Sequence, residues 1–178
     1  MLNLEKLKYP IGKFEMPENV SQQELEQWII QIKSLPERLR KEVQTLKEEQ
    51  LNTPYRPEGW TVRQVIHHLA DSHMNSFIRI KLALTENNPV IKPYYEKRWA
   101  ELPDSLNFPI ASSLAIVEGV HERWGYLLEQ LTEEDLKKTF IHPGINKEFT
   151  IKESIGTYAW HGNHHLAHIT HLKETKNW

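Results

Sequence analysis

The sequence predicts an all-α fold: a four-helix bundle with one long crossover connection and a small β-hairpin ahead of the last helix. Three observations carry this expectation. Apolar residues recur every three or four positions in four long stretches, three of those stretches open on capping-box spacings, and a proline-rich connection of 25 residues separates the second from the third. At 178 residues the chain is the size of one domain, spanning 1–178.

Residues 1–20 lack periodicity and contain Pro10 and Pro17, which predicts an extended N-terminal arm lying over the domain. Ser21 followed by Glu24 is a capping box, in which hydroxyl and carboxylate satisfy backbone donors left free at a helix start. Trp28, Ile29, Ile32 and Leu35 follow at helical spacing. Pro36 either kinks this helix or restarts it, and the pattern continues through Leu39, Val43 and Leu46. The segment TPYRPEGW is a loop. Thr61 with Gln64 then caps the second helix, whose stripe is Val62, Ile66, Leu69, Phe77, Ile80 and Leu84.

The long connection runs from Thr85 to Pro109 and carries Tyr94, Tyr95, Glu96, Arg98 and Trp99 in its middle. Connections of that length are commonly lids, Ω-loops or covered crossovers. Ile110, Leu114, Val117, His121, Trp124, Leu128 and Leu131 step by three and four along the third helix. After a short helical turn capped by Thr132, KTFIHPGINKEFTI reads as two brief strands around a Pro-Gly turn. Thr150 with Glu153 caps the last helix, with Ile151, Ile155, Gly162, Leu166 and Ile169 as its buried stripe.

Charge and composition exclude several function classes. Lys and Arg total 22 against 24 for Asp and Glu, with no basic run, so no nucleic-acid partner is expected. No stretch has the apolar length of a signal peptide or a membrane span, which predicts a cytoplasmic protein with no membrane partner. The chain has no Cys, so a tight metal site must be built from His and carboxylates.

Histidine is where the chemistry concentrates. Of ten His, five fall between His161 and His171, interleaved with Trp160, Leu166, Ile169 and Leu172 as in an amphipathic helix. His161 and His165 are four residues apart, so they lie only ~40° apart around the helix and can reach one ion. The Glu of an HExxH motif is missing, since Gly162 and Asn163 follow His161. His168 lies on the same edge as a further ligand, a supporting donor or a base. A third ligand must come from another element, and the second helix offers His67, His68 and His73. Periodicity leaves that choice open. His73 near the stripe centre, and His121 on the third helix, read equally well as hydrogen-bonded core histidines.

The run W-T-V-R-Q-V-x-H-H-L-A-D-S at Trp60 to Ser72, with H-x-x-x-H at His161 to His165, resembles the DinB-like metalloprotein superfamily. Within it the chain is similar to the YfiT-type metal-dependent hydrolases, a branch also linked to bacillithiol S-transfer. Y-P-I-G at Tyr9 to Gly12, P-Y-x-E-K-x-W at Pro93 to Trp99, and A-H-I-T near the end extend the resemblance over almost the whole chain. It implies a four-helix bundle, commonly a homodimer, with zinc or nickel on His68, His161 and His165. His67 and His164 are then neighbours of the site. Many members have Gln where this chain has His168.

Three imidazoles leave a coordination position open, the mark of a catalytic site. If water takes it, the reaction is hydrolysis; if a low-molecular-weight thiol such as bacillithiol takes it, the reaction is S-transfer to an electrophile. A non-catalytic metal-binding stress protein is the third reading. Candidate helpers are Asp71, Glu96 and His168, with Arg98 and Trp99 placed to cover the site, and Asn75 and Tyr158 behind them.

Overall fold

The computed structural model describes residues 4–178. In chain order the elements are α1 (Leu4–Lys8), α2 (Gln22–Val43), α3 (Glu48–Leu51), α4 (Val62–Thr85), α5 (Glu96–Trp99) and α6 (Pro103–Asn107). They continue with α7 (Ala111–Glu129), α8 (Glu133–Lys137), β1 (Thr139–His142), β2 (Lys147–Thr150) and α9 (Ile151–Lys176). The four long helices are the predicted bundle and the two strands the predicted hairpin, antiparallel with Phe140 opposite Phe149. No helix among the described residues is long and apolar enough to cross a membrane.

Local chemistry sets the helix starts. Ser21, Thr61, Thr132 and Thr150 each accept from the backbone N–H three residues on, while Glu24, Gln64, Asp135 and Glu153 reach back to the cap residue's own N–H. Pro36 neither ends nor restarts α2: the helix runs through it. In place of a uniformly extended arm, Leu4–Lys8 form α1, with Glu5 in its first turn and Lys8 in its last, the charge order a helix dipole favours. Residues 9–20 are irregular, and residues 1–3 of the predicted arm lie outside the described residues.

Packing follows the predicted stripes. α2 packs against α7 and α9, and α4 packs against the same two, so α2 and α4, consecutive long helices, stand diagonally in the bundle. One core cluster gathers Ile32, Phe77, Ile80, Trp124 and Ile155; the other gathers Leu35, Leu39, Ile66, Leu69, Val117 and Ile169. The long connection carries α5 and α6 and is tied to β1, where the Ile91 N–H donates to the Ile141 carbonyl and the Ile141 N–H to the Pro89 carbonyl. This diagonal arrangement sets the histidine-bearing faces of α4 and α9 side by side.

Candidate metal centre

Two neighbouring helices bring three imidazoles to one point. His161 and His165 stand one turn apart on α9, and His68 faces them from α4. One ring nitrogen from each lies within 4.8 Å of the other two. Nε2 of His68 is 3.2 Å from Nε2 of His161. Two nitrogens sharing a tetrahedral zinc at ~2.0–2.1 Å stand about 3.3 Å apart, so the spacing suits an ion. Gly162 lets α9 seat this closely: a Cβ there would lie 2.7 Å from Leu35 Cδ2 and 3.4 Å from His73 Cε1.

The electrostatics also suit a cation. His68 and His165 are buried, and half-buried His161 has its ring enclosed by His68, His73, Tyr158 and His165. Burial, with repulsion from His164, pushes the His68 imidazole down to about 4. Burial and the neighbouring imidazoles hold His161 and His165 well below the usual range. Neutral imidazoles carry the lone pairs that a divalent ion needs, and an ion is the charge this cluster can accept. Nδ1 of His165 is buried without a hydrogen-bond partner. The residues present therefore fit a metal.

The other histidines divide sharply. His67 turns away from the ligands: its Nδ1 is 2.7 Å from Ser113 Oγ and its Nε2–H donates to the Phe108 carbonyl. His73, fully buried, joins the site instead. Its Nε2 is 3.0 Å from Nδ1 of His161, and its Nδ1 is 2.8 Å from Nε2 of His121 on α7. His164 stacks on Trp160 with ring centroids 4.5 Å apart. His168 stacks on Tyr55 at 3.9 Å and donates from Nε2 to the Lys8 carbonyl, which ties the end of α1 to α9. His164, His165 and His168 form a second group whose ligand atoms lie within 4.8 Å of one another, sharing His165 with the first.

Among the described residues, Glu96 is the predicted helper that lines the neighbouring cleft. A cleft of about 680 Å³ is lined by Tyr9, Tyr55, Trp60, Gln64, Glu96 and His164. Trp60 packs on His68 at 4.7 Å and on His165 at 6.3 Å, so the cleft wall is one ring away from two ligands. Glu96 therefore faces the opening, whereas Arg98 lies over the Tyr95 ring and Trp99 against Tyr94. A larger groove of about 1190 Å³ runs along α2, α4 and α7 and reaches His121, but none of the three ligands lines it. Asp71 is half-buried one helical turn after His68, and burial together with the Asp104 carboxylate pushes it up to about 6. Asn75 donates to the Asp71 carbonyl, not to its side chain. Among the described residues no hydrogen bond joins Asp71 to a ligand imidazole. His73 and His121, left open by spacing, and Trp60 and Tyr55 are the site residues that periodicity could not single out.

Comparisons with known proteins agree with this fold. Residues 31–169 match the family model described as the DinB superfamily. A relative from Bacillus cereus strain AH820 is 54% identical over 97% of this chain and 98% of its own, and carries a provisional name as a metal-dependent hydrolase. A Bacillus anthracis relative, strain CDC 684, matches to the same extent under the same provisional name. Among solved structures, YfiT from Bacillus subtilis superposes with a TM-score of 0.94 at 46% identity, covering 97% of this chain and 99% of that one. It is described, again provisionally, as a metal-dependent hydrolase with an unusual four-helix bundle topology.

Proposed function

We propose, since this chain belongs to the DinB superfamily, that it is a metal-dependent hydrolase of a small-molecule substrate, with a divalent ion, zinc before nickel, on His68, His161 and His165. The observation that carries the reading is the convergence of three neutral imidazoles from α4 and α9 within 4.8 Å, beside an open cleft. Held there, the ion would supply Lewis acidity, polarising a carbonyl and activating a water nucleophile.

The chain's own residues supply the remainder. Asp71, pushed up to about 6, is matched to take a proton near neutral pH from its place one turn beyond His68. Lys8, Arg56 and Lys97 line the cleft together with Glu58, Glu96 and Glu101, a lining of both charges suited to a polar substrate. Trp60 and Tyr55 add aromatic surface to its wall. His168 holds the end of α1 against α9 through the Lys8 carbonyl. Half-exposed Ile78 on α4 is consistent with a seam between two copies, and we place the protein in the cytoplasm as a homodimer.

The test loads the metal-free protein with zinc or nickel and screens esters and amides, then repeats the screen with an electrophile and bacillithiol. Metal-dependent ester or amide cleavage, lost in His68→Ala, supports hydrolysis. Thiol-dependent loss of the electrophile with no hydrolysis replaces it by S-transfer. Turnover by the metal-free protein, or tight metal binding without turnover in either screen, overturns the hydrolase reading.

A further inference from the structure

We propose that His73, His121 and Pro36 form a positioning relay that fixes which nitrogen of His161 is bare, and so presets the metal ligand before any ion arrives. The proposal rests on the metal-centre reading above. It starts from the one group in the chain of contacts whose role cannot switch. A carbonyl oxygen only accepts, and Nδ1 of His121 lies 2.6 Å from the Ile32 carbonyl. His121 must therefore carry its proton on Nδ1.

Each further proton follows from that one. A neutral imidazole has a single N–H, so Nε2 of His121 is an acceptor, and at 2.8 Å its partner, Nδ1 of His73, must donate to it. Nε2 of His73 is then bare and accepts at 3.0 Å from Nδ1–H of His161. That leaves Nε2 of His161 with a free lone pair, and this is the nitrogen 3.2 Å from Nε2 of His68, inside the ligand cluster. All the donors point one way, from the ligand outwards to the α2 backbone. His73 and His121 are both buried, so the line runs through the core of the bundle.

Pro36 explains why an α2 carbonyl is free to end the relay. In a regular helix the Ile32 carbonyl accepts from the N–H of residue 36, but proline has none. The helix nevertheless continues through Pro36. An interior proline, unfavourable by helix propensity alone, thus leaves a backbone acceptor facing α7, and His121 occupies it. His73 and His121 act through His161 and touch neither ion nor substrate, so they are positioning residues. Groups that orient a metal-bound imidazole through its second nitrogen typically contribute 10–100-fold in metal affinity.

Long-range ¹H–¹⁵N NMR of histidine-labelled, metal-free wild-type protein at neutral pH reads the tautomers directly. The expected result is Nδ1–H on His121, His73 and His161. Nε2–H on either His73 or His161 overturns the relay, and this measurement needs no variant to fold. In His73→Leu, His161 should lose its single tautomer and zinc affinity, read by competition with a chromophoric chelator, should fall about 10–100-fold. His73→Gln, which keeps an acceptor towards His161 and a donor towards His121, should restore most of it. An unchanged His161 tautomer in a folded His73→Leu protein overturns the proposal. If the wild-type protein bound no metal, the metal-centre reading would fail, while the tautomer pattern would still decide the relay.

Discussion

Acidifying the metal-free protein from pH 7 to pH 5 should destabilise it steeply. Burial pushes His121 down to about 4, opposed only in part by its bond to the Ile32 carbonyl. Burial likewise takes His68 and His164 to about 4 and His168 to about 3. In the unfolded chain a histidine titrates near 6.5, so the unfolded state takes up these protons first. The stability they contribute is complete above about 6.5 and is lost as pH falls towards the folded values. One group moved from 6.5 to 4 accounts for about 2 kcal/mol of loss between pH 7 and pH 5. Asp71 works in the opposite sense: pushed up to about 6, it is protonated in the folded state before the unfolded one, and acid relieves its cost between about 6 and 3.8. One half-buried carboxyl against four buried imidazoles leaves a net loss. Because His164 and His168 stand in ring contact, their protons arrive as a coupled set and the four losses do not simply add. Urea unfolding of chelator-treated protein from pH 7.5 to pH 4.5 should give a slope above about 1.4 kcal/mol per pH unit between pH 6 and pH 5, the mark of more than one proton. A flat profile there would refute the claim that these imidazoles are buried in their neutral form.

Two glycines in long helices predict opposite outcomes. Gly119 lies inside α7, and a methyl group placed on its Cα would meet no atom within 4 Å, so Gly119→Ala should stabilise by about 0.5–1 kcal/mol, seen as a rise of a few degrees in Tm. Gly162→Ala gains the same propensity but sets a methyl 2.7 Å from Leu35 Cδ2, and Leu35 is itself buried. Overpacking of that kind costs about 1–3 kcal/mol, so a net loss of stability is expected, with weaker zinc binding because His161 is the adjacent residue. A Gly162→Ala protein as stable as wild type, binding zinc equally well, would mean that α9 is not seated tightly on α2.

What is legible in the sequence is whatever one helix can encode by itself. The caps at Ser21, Thr61 and Thr150 are local hydrogen-bond devices, the stripes follow a period fixed by helix geometry, and His161 and His165 can be paired by angle alone. One local feature escapes such a reading, α1, whose few residues give no periodicity, and another is left undecided by it, whether α2 restarts at Pro36 or runs on as one helix. The choice among His67, His68 and His73 is a question about two helices, and spacing leaves it open. Resemblance to a family selects His68, whose ring the bundle sets within 4.8 Å of those of His161 and His165. The diagonal placement of α2 and α4 depends on the paths of the connections, for which no periodic signal exists.

The same limit explains why His73 and His121 read only as core histidines. Each sits on the apolar stripe of its helix, where a polar side chain is tolerated only if its hydrogen bonds are met inside the protein. The partners that meet them lie on other helices: His73 on α4 reaches His161 on α9 and His121 on α7, and His121 reaches the Ile32 carbonyl on α2. One line of hydrogen bonds therefore crosses all four long helices and ends at His161, a ligand of the proposed metal centre. Shifting any one helix along its axis breaks a contact of 3.0 Å or less somewhere on that line. Register of the bundle and geometry of the proposed metal centre are thus the same constraint, which accounts for polar rings in a core that leucine and isoleucine could otherwise fill.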